Sequence, residues 1–145
     1  MNNRLGHHDV APSERRKQTG GMQPLAVHHV SINVDDVDAA VRFYCEMLGL
    51  ELRSDRPDFG FGGAWLDAVG QPVHLIEGTP PPGLGQHFAL LVESLEKTVA
   101  DLRERGVEVS DPRPVGSSRQ AFVSDPSGNL VELHEAASRQ SISTM

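Results

Sequence analysis

Two pairs of potential metal ligands in this chain keep the same spacing. His29 and His87 lie 58 positions apart, and so do His74 and Glu132. His29-Val30-Ser31-Ile32-Asn33-Val34 and His87-Phe88-Ala89-Leu90-Leu91-Val92 are both short alternating segments opened by histidine. Gly49-Leu50-Glu51-Leu52 and Gly106-Val107-Glu108-Val109 repeat at 57 positions. The chain therefore reads as one structural unit written twice, with two candidate ligands in each copy. Such a duplication restricts the fold to architectures whose halves share one order of elements.

Each half gives the same order. Residues 28–34 alternate as a strand, and a helix follows over 37–48 with Asp36 as N-cap and Gly49 as its stop. Its apolar positions Val37, Ala40, Val41, Tyr44 and Leu48 keep helical spacing and predict one buried stripe. Strands are predicted at 50–55, 62–68 and 72–77, punctuated by Pro57, Gly60, Gly70 and Pro72. In the second half the corresponding strand covers 86–92. A helix at 95–105 follows, capped by Ser94, with Leu95, Val99 and Leu102 on one face. Strands are predicted at 107–110, 119–124 and 130–135. The Thr79-Pro80-Pro81-Pro82-Gly83-Leu84-Gly85 segment is a stiff linker between modules at about 25–78 and 86–136. The expected architecture is β-α-β-β-β twice, an α+β fold occupying residues 22–136 as one domain. Residues 1–21 and 137–145 lack an apolar period and read as a disordered N-terminal tail and a C-terminal tail. His7-His8 falls within the first of these.

The 145 residues are enough to bury a core without disulfides, and no apolar run approaches membrane-spanning length. Net charge is −7; residues 1–21 contribute +2, leaving −9 for the rest. So acidic a body argues against nucleic acid as a partner. Cys45, the only cysteine, lies within the first helix and reads as a packed residue. With no disulfide to form and no export signal, the expected compartment is the cytoplasm.

Alternate strand residues face opposite sides. Val30, Ile32 and Val34 form a row suited to packing under a helix, which places His29, Ser31 and Asn33 opposite. The same parity sets His87 opposite Phe88, Leu90 and Val92, His74 opposite Val73 and Leu75, and Glu132 and His134 opposite Val131 and Leu133. All four candidate ligands thus avoid the helix-covered face. Three imidazoles and one carboxylate suit one divalent ion such as Zn, Ni, Mn, Co or Fe, with coordination positions left for substrate. His28 reads as structural, and His134 as a cavity-lining group beside Glu132.

With these residues the chain resembles the vicinal oxygen chelate superfamily, which includes glyoxalase I, methylmalonyl-CoA epimerase, extradiol dioxygenases and fosfomycin- and bleomycin-resistance proteins. The resemblance covers about residues 25–136. It is carried by His29-Val30, Phe43-Tyr44, Leu48-Gly49-Leu50, Gln86-His87-Phe88-Ala89-Leu90 and, most specifically, Asp125-Pro126-Ser127-Gly128-Asn129-Leu130-Val131-Glu132-Leu133. It implies paired βαβββ modules forming an open barrel-like mixed sheet with helices outside. The family's ligand positions fall on His29, His74, His87 and Glu132. Gly63-Ala64-Trp65-Leu66 with His74-Leu75 looks like a glyoxalase-I-like branch, although glyoxalase I commonly carries glutamate where this chain has His74.

The expected function is a metal-dependent, glyoxalase-like lyase or isomerase. Its substrate is a small molecule with vicinal oxygens, processed through a metal-stabilised enediolate. Glu132 is the expected base, and Arg119, Gln120, His134, Asn33 and Trp65 are candidate substrate contacts. The alternatives are an Fe(II) extradiol-type dioxygenase and a non-catalytic small-molecule or antibiotic-binding protein. A homodimer is expected, with each site built either within one chain or between two.

Overall fold

The computed structural model describes residues 21–137. The tails read at 1–21 and 137–145 fall outside this range, apart from Gly21 and Ala137, as does His7-His8. Strand β1 (Val30–Val34) leads into helix α1 (Val37–Arg42), then β2 (Glu51–Leu52), β3 (Gly63–Ala68) and β4 (Gln71–Glu77). The order repeats as β5 (His87–Val92), α2 (Leu95–Glu104), β6 (Arg113–Val115), β7 (Ser118–Ser124) and β8 (Leu130–Glu135). Each half forms a four-stranded mixed sheet, ordered β1-β4-β3-β2 and β5-β8-β7-β6. The first and last strands of each half pair in parallel, which requires the intervening helix to cross over. This is the α+β, twice-βαβββ architecture read from the repeat, with the sheets left as two rather than closed into one barrel.

The duplication extends to individual hydrogen bonds. Arg53 N donates to Trp65 O at 2.8 Å, and 57 positions on Ser110 N donates to Phe122 O at 3.0 Å. Ser31 registers with His74 as Ala89 does with Glu132. Both helices start on the predicted caps: Asp36 accepts from Ala39 N and Ser94 from Lys97 N. Both stop where Gly49 (φ 77°) and Gly106 (φ 83°) enter the left-handed region.

Three elements depart from expectation, the first being the strand predicted at 50–55, which pairs only over Glu51–Leu52. The helix predicted over 37–48 is α-helical only to Arg42; Phe43–Met47 form a wider π turn, in which Leu48 N reaches back to Phe43 O at 3.2 Å. The strand predicted at 107–110 is displaced to β6. Val107 and Val109 do pack against the core, so the alternation was real. However, the Ser110 hydroxyl accepts the Phe122 N–H at 2.8 Å, taking a donor that a ladder would use. Pro112, which follows, has no N–H to offer, and regular pairing resumes only with Arg113 opposite Gln120.

The core is continuous across both halves. Leu66, Val73 and Leu75 under α1, and Leu102 on α2 with Val131 and Leu133 beneath it, are all at most 2% exposed. Truncating such a leucine to alanine costs about 2–5 kcal/mol. The halves are joined at a buried carboxylate. Asp125, 5% exposed, accepts from Ser127 N (2.9 Å), Asn129 N (2.8 Å), Asn129 Nδ2 (2.9 Å) and the buried Tyr44 hydroxyl (2.8 Å). Burial, and secondarily Asp125, push the Tyr44 phenol well above its usual range, so Tyr44 stays a donor. Asn129 Nδ2 also donates to Asn33 O (2.8 Å), and Ser127 Oγ to Asp35 Oδ1 (2.6 Å). Tyr44→Phe leaves Asp125 with three donors and should cost about 1.5–3 kcal/mol. Asp125→Ala, which orphans the Tyr44 hydroxyl and unties the turn, should cost more. Urea denaturation of both variants measures the order.

Candidate functional site

The strand parity read from the sequence holds at each candidate ligand. Val73 and Leu75 are buried while His74 between them is half-buried; Val131 and Leu133 are buried while Glu132 and His134 are half-buried. His87 is exposed at the start of β5, and His29 is exposed immediately before β1. The ladder of β1 begins at Val30, so His29 lies at its mouth rather than within it.

These residues gather as two groups. In the first, Trp65 on β3 registers opposite His74 on β4. The Trp65 and His74 rings stack at 4.6 Å and 10°, and the His29 ring also stacks on His74, at 4.1 Å and 23°. His28 Nδ1 lies 2.9 Å from His29 Nδ1, so one ring donates and the other accepts. Partial burial first, then the nearby His29 and Arg53, lower the pKa of His74 below that of an ordinary histidine. A neutral imidazole is the form that donates a lone pair to a metal.

In the second group Glu132 is bracketed. His87 Nε2 lies 3.3 Å from Glu132 Oε1, and His134 Nδ1 lies 2.9 Å from Oε2. The other nitrogen of His87 contacts Gly85 O at 2.8 Å, and Phe122 meets its ring edge-to-face at 5.4 Å. Gln120 registers opposite His134 and joins this face. Arg119 does not: it shares its parity with the buried Ala121 and Val123, on the opposite side of β7. Asn33 lines a seam cavity of about 320 Å³ between β1 and β5 together with Ser31, Gln86 and His87.

The chemistry of the donors fits a borderline divalent ion, since each group offers two ligands of the right type. Among the described residues, no three His, Cys, Asp or Glu side chains are grouped to hold a metal.

Several neighbours were not singled out from the sequence. Phe122 is the counterpart of Trp65 at the 57-residue offset, so the repeat itself carried that signal. From the loop between β2 and β3, where no periodicity marks them, Arg53 and Phe59 contact Trp65, and Arg56 packs over Phe59 and Phe61. Gly63 makes room there: a Cβ would strike the Leu75 carbonyl and lie 2.9 Å from Arg56 Nη2.

Two four-stranded mixed sheets, each crossed by one helix, define a twice-βαβββ protein. The Glyoxalase/Bleomycin resistance protein/Dioxygenase superfamily model matches residues 26–133, and the chain belongs to that superfamily. It is 34% identical over 127 residues to the Synechocystis sp. protein named "Probable lactoylglutathione lyase", covering 77% of this chain and 96% of that one. It is 30% identical to the lactoylglutathione lyase of Haemophilus influenzae, covering 81% and 97%. Two Arabidopsis thaliana relatives are longer, and the chain spans 35% and 42% of their lengths. Among solved structures it resembles TnmS3, an antibiotic binding protein from Streptomyces sp. CB03234, at 30% identity and TM-score 0.70 over 81% of this chain and all of that one.

Replacing Gly63 by alanine should lower stability by about 1–3 kcal/mol, because backbone rather than a flexible side-chain end blocks the new Cβ. Thermal unfolding measures the loss.

Proposed function

We propose that this protein is a metal-dependent lyase or isomerase of the glyoxalase type, acting on a small molecule with vicinal oxygens. The observation that carries the reading is the bracketed Glu132 carboxylate, held by His87 on one oxygen and His134 on the other. The relatives named lactoylglutathione lyase support it. His29, His74, His87 and Glu132 would hold one divalent ion (Zn, Ni, Mn, Co or Fe). When bound, the ion supplies Lewis acidity to the two substrate oxygens.

Glu132 then takes a proton from the carbon beside the substrate carbonyl and returns it to the neighbouring carbon, so no atom is gained or lost. His134 fixes the orientation of the carboxylate during this transfer. Gln120, on the same face, offers an amide to a substrate oxygen, as does Asn33 from the seam. Arg119, facing away, has no part. Glu132→Gln keeps the shape of the side chain but removes its basicity. We expect kcat to fall by about 10²–10⁴-fold with methylglyoxal and a thiol as substrates, and the circular dichroism spectrum to be unchanged. Full turnover in this variant would remove Glu132 from the chemistry.

We further propose that the protein is a homodimer in which the His29–His74 group of one subunit meets the His87–Glu132 group of the other. The pairwise grouping of the candidates, His29 stacked on His74 and His87 beside Glu132, supports this arrangement. His74→Ala and Glu132→Gln proteins should each be inactive. Refolded together, they should regain part of the activity, because one site of each mixed dimer then carries every wild-type ligand. A site contained in one chain gives no recovery.

A second reading, a non-catalytic small-molecule binder, is favoured by the similarity to TnmS3. Metal analysis of untagged protein separates the two. About one ion per chain supports the enzyme, and no recoverable affinity for divalent ions supports the binder.

A further inference from the structure

The loop between β2 and β3 holds an aromatic cluster that neither the core nor the proposed base and ligands require. Phe59 and Phe61 are 48% and 52% exposed, yet their rings stack at 5.5 Å and 16°. The Arg56 guanidinium lies over both, 5.1 and 5.6 Å from the ring centres, and donates to Phe61 O at 3.0 Å. Phe59 tilts against Trp65 at 6.1 Å. Arg53 lies 5.2 Å from the Trp65 ring and is neutralised by Asp55 at 2.6 Å. Half-exposed rings held this firmly do not contribute their full burial to folding, and aromatic surface of that kind marks a binding site.

The rings enclose a definite space. A cleft of about 170 Å³ is lined by Arg56, Phe59, Phe61, Trp65, His74 and Ile76. That is below the roughly 300–1,000 Å³ of pockets that take drug-sized ligands, and suits a single ring. Three aromatic rings, Arg56 and the aliphatic Leu75 and Ile76 line it together with His74, whose imidazole stacks on Trp65.

We propose that this cleft is a ring-binding subsite and that the substrate is an aryl-substituted carbonyl or hydroxy compound. Its ring would pack in the cleft against the exposed surfaces of Phe59, Phe61 and Trp65, and its vicinal oxygens would lie toward His74. The proposal rests on the functional reading given for the site at His74 and narrows its substrate class. An alkyl-substituted analogue fills the cleft poorly and forgoes the stacking contacts.

Trp65 is the only tryptophan, so intrinsic fluorescence reports on the cleft directly. Mandelate and lactate share a hydroxyl and a carboxylate and differ by phenyl against methyl. Titrating each into the full-length protein, with and without Zn²⁺, should show mandelate half-saturating at a concentration at least about tenfold below lactate. In the Phe59→Ala/Phe61→Ala protein this preference should fall to near parity. Unfolding temperature should be little changed, since both rings are half-exposed. Equal affinity for the two acids overturns the subsite, as does no fluorescence change with either. So does a preference that survives loss of both phenylalanines. The readout needs no turnover. A protein that prefers mandelate but catalyses nothing retains the subsite and loses the lyase reading; an active lyase that binds both acids equally does the reverse.

Discussion

The two halves of this molecule are locked at one buried carboxylate. Asp125 has four donors, three from its own turn and one, the Tyr44 hydroxyl, from the other module. A buried charge without partners would be costly, so the turn and the helix are each obliged to keep their positions. The neighbouring Asn129 and Ser127 extend the lock to Asn33 and Asp35 at the end of β1. Because the sheets share no strand ladder, this joint and the shared core set how the two sheets stand against each other.

On that frame the duplicated modules carry different chemistry at matched positions. The same cross-strand register that sets Trp65 opposite His74 sets Phe122 opposite Glu132. In the first module the pair is a stacked ring system, extended by His29. In the second it is a carboxylate between two imidazoles. Register preserves the geometry, while residue type differs: stacked rings in one module, a carboxylate between imidazoles in the other.

Much of this was legible in the chain. The parity of β4 and β8 followed from Val73, Leu75, Val131 and Leu133 alone, because a half-buried strand must alternate. Caps and stops at Asp36, Gly49, Ser94 and Gly106 were equally local. Three features were not. The displacement of β6 depends on the Ser110 hydroxyl meeting Phe122, twelve residues away, and no local pattern predicts that contact. Arg119 and Gln120 are adjacent and both polar, and only the pairing of Gln120 with His134 shows which of them joins the face of Glu132. The π turn at Phe43–Met47 lies inside a run with good α-helical spacing.

The sequence by itself determined the order of elements, the repeat and the face on which each candidate ligand lies. All of these follow from local periodicity and short-range capping. Only the tertiary structure decided how the candidate residues group, His29 stacked on His74 and Glu132 held between His87 and His134, and that Phe59, Phe61 and Arg56 close a cleft beside His74. Those outcomes depend on contacts between segments distant in sequence, which packing and burial select and no local pattern records.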